Sequence, residues 1–205
     1  MSTLIVGLVA GAVFAAQPAL PCAIPGPPSP RVDVQIEQPV RARDLTLVQI
    51  AALHALLGDT SHRPLGFYAS RFALVVQIEP DDAVTTCSAV RVRLTLSSRR
   101  IEIAHEIADR PCLSAAAVTH YEGHAEAEAA AVGQLAERVR HRLMTPEVAG
   151  ILEASAPAQE KRSAVTRLAI EPELAAYRDS LAATYAALDD EMKVGNIDQT
   201  CSGQQ

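Results

Sequence analysis

The chain has 205 residues, with 18 Lys and Arg against 24 Asp and Glu, a formal net charge of −6 at pH 7, and no Trp. This length allows one ordinary domain with tails and is enough for a hydrophobic core. Because the basic residues are scattered and form no basic face, the sequence argues against nucleic acid as a partner. Only 3% of the residues are aromatic, so we expect a core of small aliphatic side chains and alanine-rich helices.

The N-terminal 30 residues carry no charged side chain. Residues 4–16 form an apolar run whose length is typical of a signal peptide and too short for a stable membrane span. We therefore predict a signal peptide at 1–16, although no Lys or Arg precedes the run, and a periplasmic or secreted location. The alternative is an apolar, disordered N-terminus. Residues 17–30 contain six of the thirteen prolines, which predicts an extended linker.

Four cysteines follow the predicted cleavage point, and an even number in an exported chain indicates disulfides. They are Cys22, Cys87, Cys112 and Cys201. We favour a Cys87–Cys112 bridge because both residues flank the same predicted hairpin, which leaves Cys22–Cys201 to join the two ends. The rival interpretation, a Cys/His zinc site, lacks the C-x-x-C pair that such sites typically contain.

Alternation of apolar and polar residues predicts the strands, and helical periodicity with capping residues predicts the helices. In the N-terminal half we expect a strand at 32–36, a helix at 45–57, a strand at 72–78, and a hairpin formed by 90–96 and 101–104 around a tight turn at 97–100. A long helix should follow at 113–143, with further helices starting at 146, 158 and 171. This order predicts one α+β domain at 31–201, in which a small antiparallel sheet packs against the long helix and the C-terminal helices.

Two histidines, His120 and His124, lie four residues apart in the predicted long helix. Side chains at this spacing share one helix face, with Cβ atoms about 5–6 Å apart. Both histidines fall on the apolar face, where buried imidazoles need polar partners. One shared metal ion would satisfy both, as in the H-E-x-x-H helix of zinc peptidases. The alternative is that each imidazole bonds a backbone carbonyl or a carboxylate across the core.

Two glutamates are the candidates for a general base. Glu122 lies about 200° around the helix from His120 and points away from the histidine pair. Glu128 lies near 80°, on the same side as the pair but about 12 Å along the axis from His120. From there it could orient His124 or bind water. Tyr121 occupies the position at which H-E-x-x-H places its glutamate.

A third metal ligand must come from another segment. His141, on the same helix, lies about 25 Å from His124 along the axis and is excluded. The residues to inspect are His54, His62, His105, Asp81 and Asp82. Spacing identifies none of them as a ligand.

The stretch from Cys87 to His124 resembles a family of exported bacterial proteins described as zinc-dependent peptidases. The shared features are a cysteine before a β-hairpin, the strand Ile101-Glu102-Ile103-Ala104, a second cysteine, Cys112, at the helix start, and the two histidines. The resemblance implies a zincin-like domain, with His120 and His124 as zinc ligands. The family's catalytic glutamate has no equivalent here, because Tyr121 stands in its place and a tyrosine is a poor base near neutral pH.

These observations leave three functions open. The first is an exported zinc-binding protein of a peptidase-like fold, acting on a peptide, with Glu122 or Glu128 in place of the missing base. The second is a catalytically inactive structural or interaction protein of the cell envelope, whose partner is an envelope protein. The sequence does not settle whether the chain is an enzyme. A purely structural secreted domain without metal is the third hypothesis.

Overall fold

The computed structural model describes residues 29–56, 64–79, 88–191 and Cys201. The predicted signal peptide and most of the predicted linker lie outside these residues. Five residues named above also lie outside them: Cys22, His62, Asp81, Asp82 and Cys87.

The sheet is built around strand β4, Ala89–Ile103, whose apolar residues alternate as the sequence predicts. Strand β3, Gly66–Glu79, pairs with β4 in antiparallel fashion along its length. On the other side of β4 lie β1, Arg31–Ile36, and β2, Val40–Ala42, and both run parallel to it. The small sheet and the α+β class are confirmed. The expected all-antiparallel pairing is wrong, because alternation fixes which face a side chain occupies and not the direction of the neighbouring strand.

Strand β4 does not turn at 97–100, so the predicted hairpin between 90–96 and 101–104 is wrong. Its register against β3 shifts by one residue between Ala69 and Arg71, so that Ser98 and Arg99 together oppose Ser70. Ser98 has a φ of 51°. This geometry is a β-bulge, which inserts one extra residue without ending the strand. The buried apolar residues of β4 are even-numbered before the bulge, as at Leu96, and odd-numbered after it, as at Ile101.

The long predicted helix is confirmed as α2, Pro111–Leu143, with proline in its first turn. The other helices are α1, Leu47–Leu56, α3, Pro146–Glu153, α4, Ala158–Val165, and α5, Glu171–Glu191, with a π-helical turn at Thr166–Ile170 between the last two. Among these described helices, none combines the length and the apolar character that crossing a membrane requires.

Helix α5 lies antiparallel against α2. Arg138 and Arg142 of α2 both donate to Glu173 near the start of α5, at 3.0 and 2.9 Å. Toward the other end, Gly123 faces Leu188. The start of α2 therefore lies beside the end of α5.

A disulfide joins Cys112 in the first turn of α2 to Cys201, with a Cα–Cα distance of 5.7 Å. This bond excludes both pairings favoured from the sequence, Cys87–Cys112 and Cys22–Cys201. The reason is the antiparallel arrangement of α2 and α5. It carries the chain after α5 back toward the start of α2, a proximity that spacing along the sequence does not reveal.

The core consists of two clusters on the helix-facing side of the sheet. The larger one joins β4 to α2 and to the C-terminal helices, through Leu94, Leu96, Val132 and Leu135 among others. The smaller one surrounds Ile101 and contains Tyr121, which is 7% exposed. Burying each large aliphatic side chain stabilises the fold by about 1.5–3 kcal/mol. The two clusters hold α2 against the sheet along most of its length.

Gly66 provides a test of the packing around Tyr121. A Cβ atom at Gly66 would overlap the carbonyl oxygen of Glu102 and lie 2.8 Å from the Tyr121 ring. We expect Gly66→Ala to lower the free energy of unfolding, measured by urea denaturation, by at least about 2 kcal/mol. Gly133→Ala on α2 is the matched control, because nothing lies within 4 Å of its added Cβ. It should stabilise the helix by up to about 1 kcal/mol. Equal stability of the two variants would contradict this packing.

Candidate metal centre

Three potential ligand atoms meet where the start of α2 lies against the end of α5. His120 and His124 project from α2, and Asp189 projects from the last turn of α5. The Nε2 atom of His124 lies 3.1 Å from Nε2 of His120 and 3.0 Å from Oδ1 of Asp189. The third separation, between His120 Nε2 and Asp189 Oδ1, is 3.4 Å. The group could hold a metal ion.

These separations fit one tetrahedral ion. Zinc bonds to imidazole nitrogen and carboxylate oxygen are about 2.0–2.1 Å long, so two ligand atoms of a tetrahedral site lie about 3.3 Å apart. Without an ion, the Nε2–H of His124 can donate to Oδ1 of Asp189 at 3.0 Å, which is the carboxylate partner considered as the alternative from the sequence. A single cation would compensate all three at once.

The structure thus joins the two predicted histidines and supplies a third residue that the sequence analysis missed. Asp189 follows Tyr185 by four residues on α5, and the Tyr185 ring packs on His124 with centroids 4.5 Å apart. The spacing of Tyr177, Leu181, Tyr185 and Asp189, each four residues after the last, is a signal that Asp189 lies near the face turned to α2. What the sequence did not show was that α5 is the helix that pairs with α2.

The other candidates for a third ligand lie elsewhere or outside the described residues. His54 Nε2 lies 3.2 Å from the carbonyl oxygen of Gly66. His105 is exposed, and its backbone N–H donates to the carbonyl of Leu45. Neither belongs to the group formed with Asp189. His62, Asp81 and Asp82 lie in the segments that the structure does not describe.

Neither Glu122 nor Tyr121 belongs to the group of three ligand atoms. Glu122 forms an ion pair with Arg41, just before the loop to α1. Tyr121 is buried in the smaller core cluster beside Gly66, although its ring edge also touches His120, with centroids 4.7 Å apart. Tyr121 therefore supports the histidine from the core side.

Glu128 is buried and accepts two hydrogen bonds from the sheet. Tyr68 Oη donates at 2.6 Å and Ser70 Oγ at 2.9 Å. Arg99, brought to the buried face by the bulge, donates to the Tyr68 hydroxyl at 3.0 Å and also to the carbonyl oxygen of Ala125 in α2. Burial, above all, raises the pKa of Tyr68 to about 12. Glu128 thus belongs to a polar network between sheet and helix, one turn of α2 beyond His124.

The electrostatics favour neutral imidazoles. Burial, together with the nearby His124, lowers the pKa of His120 to about 4, and Asp189 opposes this shift. The pKa of His124 is also lowered by burial, against the same opposing carboxylate. A metal ion binds only the neutral form of histidine. The shifts of both histidines therefore favour the metal-binding form at neutral pH, and that of His120 extends below it.

No known protein family, curated protein or solved structure matches this chain. The resemblance to zinc-dependent peptidases therefore depends on the residues quoted for it, and the case for a site depends on the geometry of His120, His124 and Asp189.

The lowered pKa of His120 predicts a pH dependence for the metal-free protein. An unfolded histidine has a pKa of about 6.5, so between pH 6.5 and 4 the unfolded chain takes up a proton that folded His120 refuses. The free energy of unfolding, measured with a chelator present, should therefore fall as the pH falls from 7 to 5. We expect a loss on the order of 1–3 kcal/mol.

The matched variants are His120→Gln and His141→Gln. His141 is an exposed histidine on the same helix, so its replacement should leave the pH slope as in the wild type. His120→Gln should flatten the slope. An unchanged slope in His120→Gln would show that this imidazole is not held neutral by its surroundings.

Proposed function

We propose that the protein is an exported zinc-binding protein, with His120, His124 and Asp189 as its metal ligands. The observation that carries this proposal is the set of three separations, 3.1, 3.0 and 3.4 Å, between the donor atoms. They fit the edges of a tetrahedral site before any ion is added. The donors are the types that zinc prefers, two imidazoles and one carboxylate.

The position of Asp189 also suits a cation. It lies two residues before Glu191, the last residue of α5, where the unpaired carbonyl groups of a helix carry partial negative charge. Its side chain is 57% exposed, whereas those of His120 and His124 are 10% and 8% exposed. An ion would therefore enter from the solvent side, where Asp189 lies, and would bind the two largely buried imidazoles on its inner side.

Export is the second part of the proposal. The Cys112–Cys201 disulfide supports it, because such bonds persist in oxidising compartments such as the periplasm and are rare in the cytosol. The apolar N-terminal run supports it from the sequence. The expected partners are those of a cell-envelope protein.

A metallopeptidase is the second candidate function. Three protein ligands leave one position for water, as in hydrolytic zinc sites. Such a site also needs a general base within reach of that water. Glu122 is paired with Arg41, and Glu128 accepts hydrogen bonds from Tyr68 and Ser70. We therefore place metal binding ahead of hydrolysis.

Metal content tests the proposal. The untagged mature protein, purified without added metal, should contain about one zinc per chain by elemental mass spectrometry, or take up one on titration. Replacing a residue that only supports a metal ligand typically weakens metal binding by about 10–100-fold. Because His124→Ala and Asp189→Asn each remove a ligand itself, we expect both variants to bind zinc at least about 100-fold more weakly.

The matched control is Asp179→Asn. Asp179 is an exposed aspartate on α5, about 15 Å along the axis from Asp189, and its replacement should leave zinc binding unchanged. Stoichiometric zinc in His124→Ala would sink the proposal. So would a wild-type protein that binds no zinc when an excess is supplied.

Turnover separates the two candidate functions. The zinc-loaded protein, incubated with a mixed peptide library, should cleave no more than His124→Ala does. Cleavage that depends on His124 would establish a peptidase. In that case Glu122→Gln and Glu128→Gln would show by their rates which carboxylate, if either, acts as the base.

A further inference from the structure

The contacts between α2 and α5 follow one another in a fixed order. Glu173 pairs with Arg138 and Arg142 at one end of the interface, and Leu188 faces Gly123 further along. Asp189 then meets His120 and His124. Beyond the candidate site, at the start of α2, the Cys112–Cys201 disulfide follows. The site is thus flanked by helix packing on one side and by a covalent bond on the other.

Asp189 depends on that bond more than the histidines do. The histidines lie in the middle of a 33-residue helix whose flanking residues Ala117, Tyr121 and Ala125 are buried. On α5, by contrast, residues 178–190 include no buried side chain. The last turn of a helix with little buried surface opens at low free-energy cost. The disulfide limits that opening, because it fixes a point twelve residues after Asp189 to the start of α2.

From this arrangement, and resting on the zinc site proposed above, we propose that the Cys112–Cys201 disulfide controls the metal affinity of the site. In the oxidised protein Asp189 is held against the two imidazoles. When two molecules of a thiol such as glutathione reduce the bond, they supply two electrons and two protons. The products are the free thiols of Cys112 and Cys201 and one glutathione disulfide. The end of α5 is then free to leave α2, and the ion loses its third ligand.

We expect reduction of the disulfide to weaken zinc binding and not to abolish it. The apparent dissociation constant rises in inverse proportion to the fraction of molecules in which Asp189 is in place. If reduction lowers that fraction to about one tenth, zinc binds about tenfold more weakly. The histidine pair is unchanged and continues to bind. Oxidation state therefore sets whether the protein holds zinc at low free concentrations.

Coupling of this kind is reciprocal. If the disulfide strengthens zinc binding by a given factor, zinc strengthens the disulfide against reduction by the same factor. The zinc-bound protein should keep its Cys112–Cys201 bond in a glutathione buffer that reduces the metal-free protein. This second effect can be measured without altering either cysteine.

The first experiment compares zinc dissociation constants by competition with a chromophoric chelator. The variant Cys112→Ser/Cys201→Ser should bind zinc about tenfold more weakly than the oxidised wild type. Cys22→Ser/Cys87→Ser, which changes two cysteines but keeps Cys112 and Cys201, is the control and should match the wild type. Equal affinities in all three proteins would overturn the inference while leaving the zinc site in place. Absence of zinc from the wild type would instead remove the site itself.

The second experiment covers the case in which the double serine variant does not fold. The wild type is equilibrated in glutathione buffers of graded ratio, with and without zinc, and the reduced fraction of Cys112 and Cys201 is measured by alkylation and mass spectrometry. Zinc should shift the bond toward the oxidised form by about tenfold in the equilibrium constant. Asp189→Asn should abolish this shift. No shift in the wild type, or a shift toward the reduced form through zinc binding to the thiols, would overturn the inference.

Discussion

The antiparallel contact between α2 and α5 is the interaction on which the candidate site depends. Helix α2 alone supplies two imidazoles on one face, which is an incomplete set of ligands. The contact adds Asp189, packs the Tyr185 ring on His124, and brings Cys201 to Cys112. The paired glutamate at the far end, Glu173, accepts from two arginines of α2 and fixes the direction of α5. The packing of α5 against α2 thus brings both Asp189 and Cys201 to their partners on α2.

A second constraint comes from the sheet. The buried carboxylate of Glu128 would be costly without partners, and the hydroxyls of Tyr68 and Ser70 provide them. Arg99 ties the same network to the backbone of α2 through the carbonyl of Ala125, the residue after His124. The smaller apolar cluster, the polar network and the larger apolar cluster therefore hold successive stretches of α2. The histidines lie on the stretch that the smaller cluster holds, next to the polar network.

The local features of this fold could be read from the sequence, and the long-range ones could not. Alternation placed the apolar face of β4, and periodicity placed α2 and the pairing of His120 with His124. The bulge at Ser98 escaped notice because Ser97-Ser98-Arg99-Arg100 has the composition of a turn. Strand direction, the disulfide partner of Cys112 and the role of Asp189 all depend on which elements meet in space. Spacing along the chain does not show which elements contact one another, although it does place Tyr185 and Asp189 on one face of α5.

The bulge in β4 has a consequence for the direction in which the imidazoles point. If the same residues continued in regular alternation without the bulge, Arg99 would turn to the opposite face of the sheet, away from the carbonyl of Ala125. Helix α2 would then lose one of the contacts that set its rotation about its axis, where a change of one residue amounts to about 100°. A bulge in a strand thereby helps to set the rotation of a helix. Through that rotation it influences whether two histidines and an aspartate face one another.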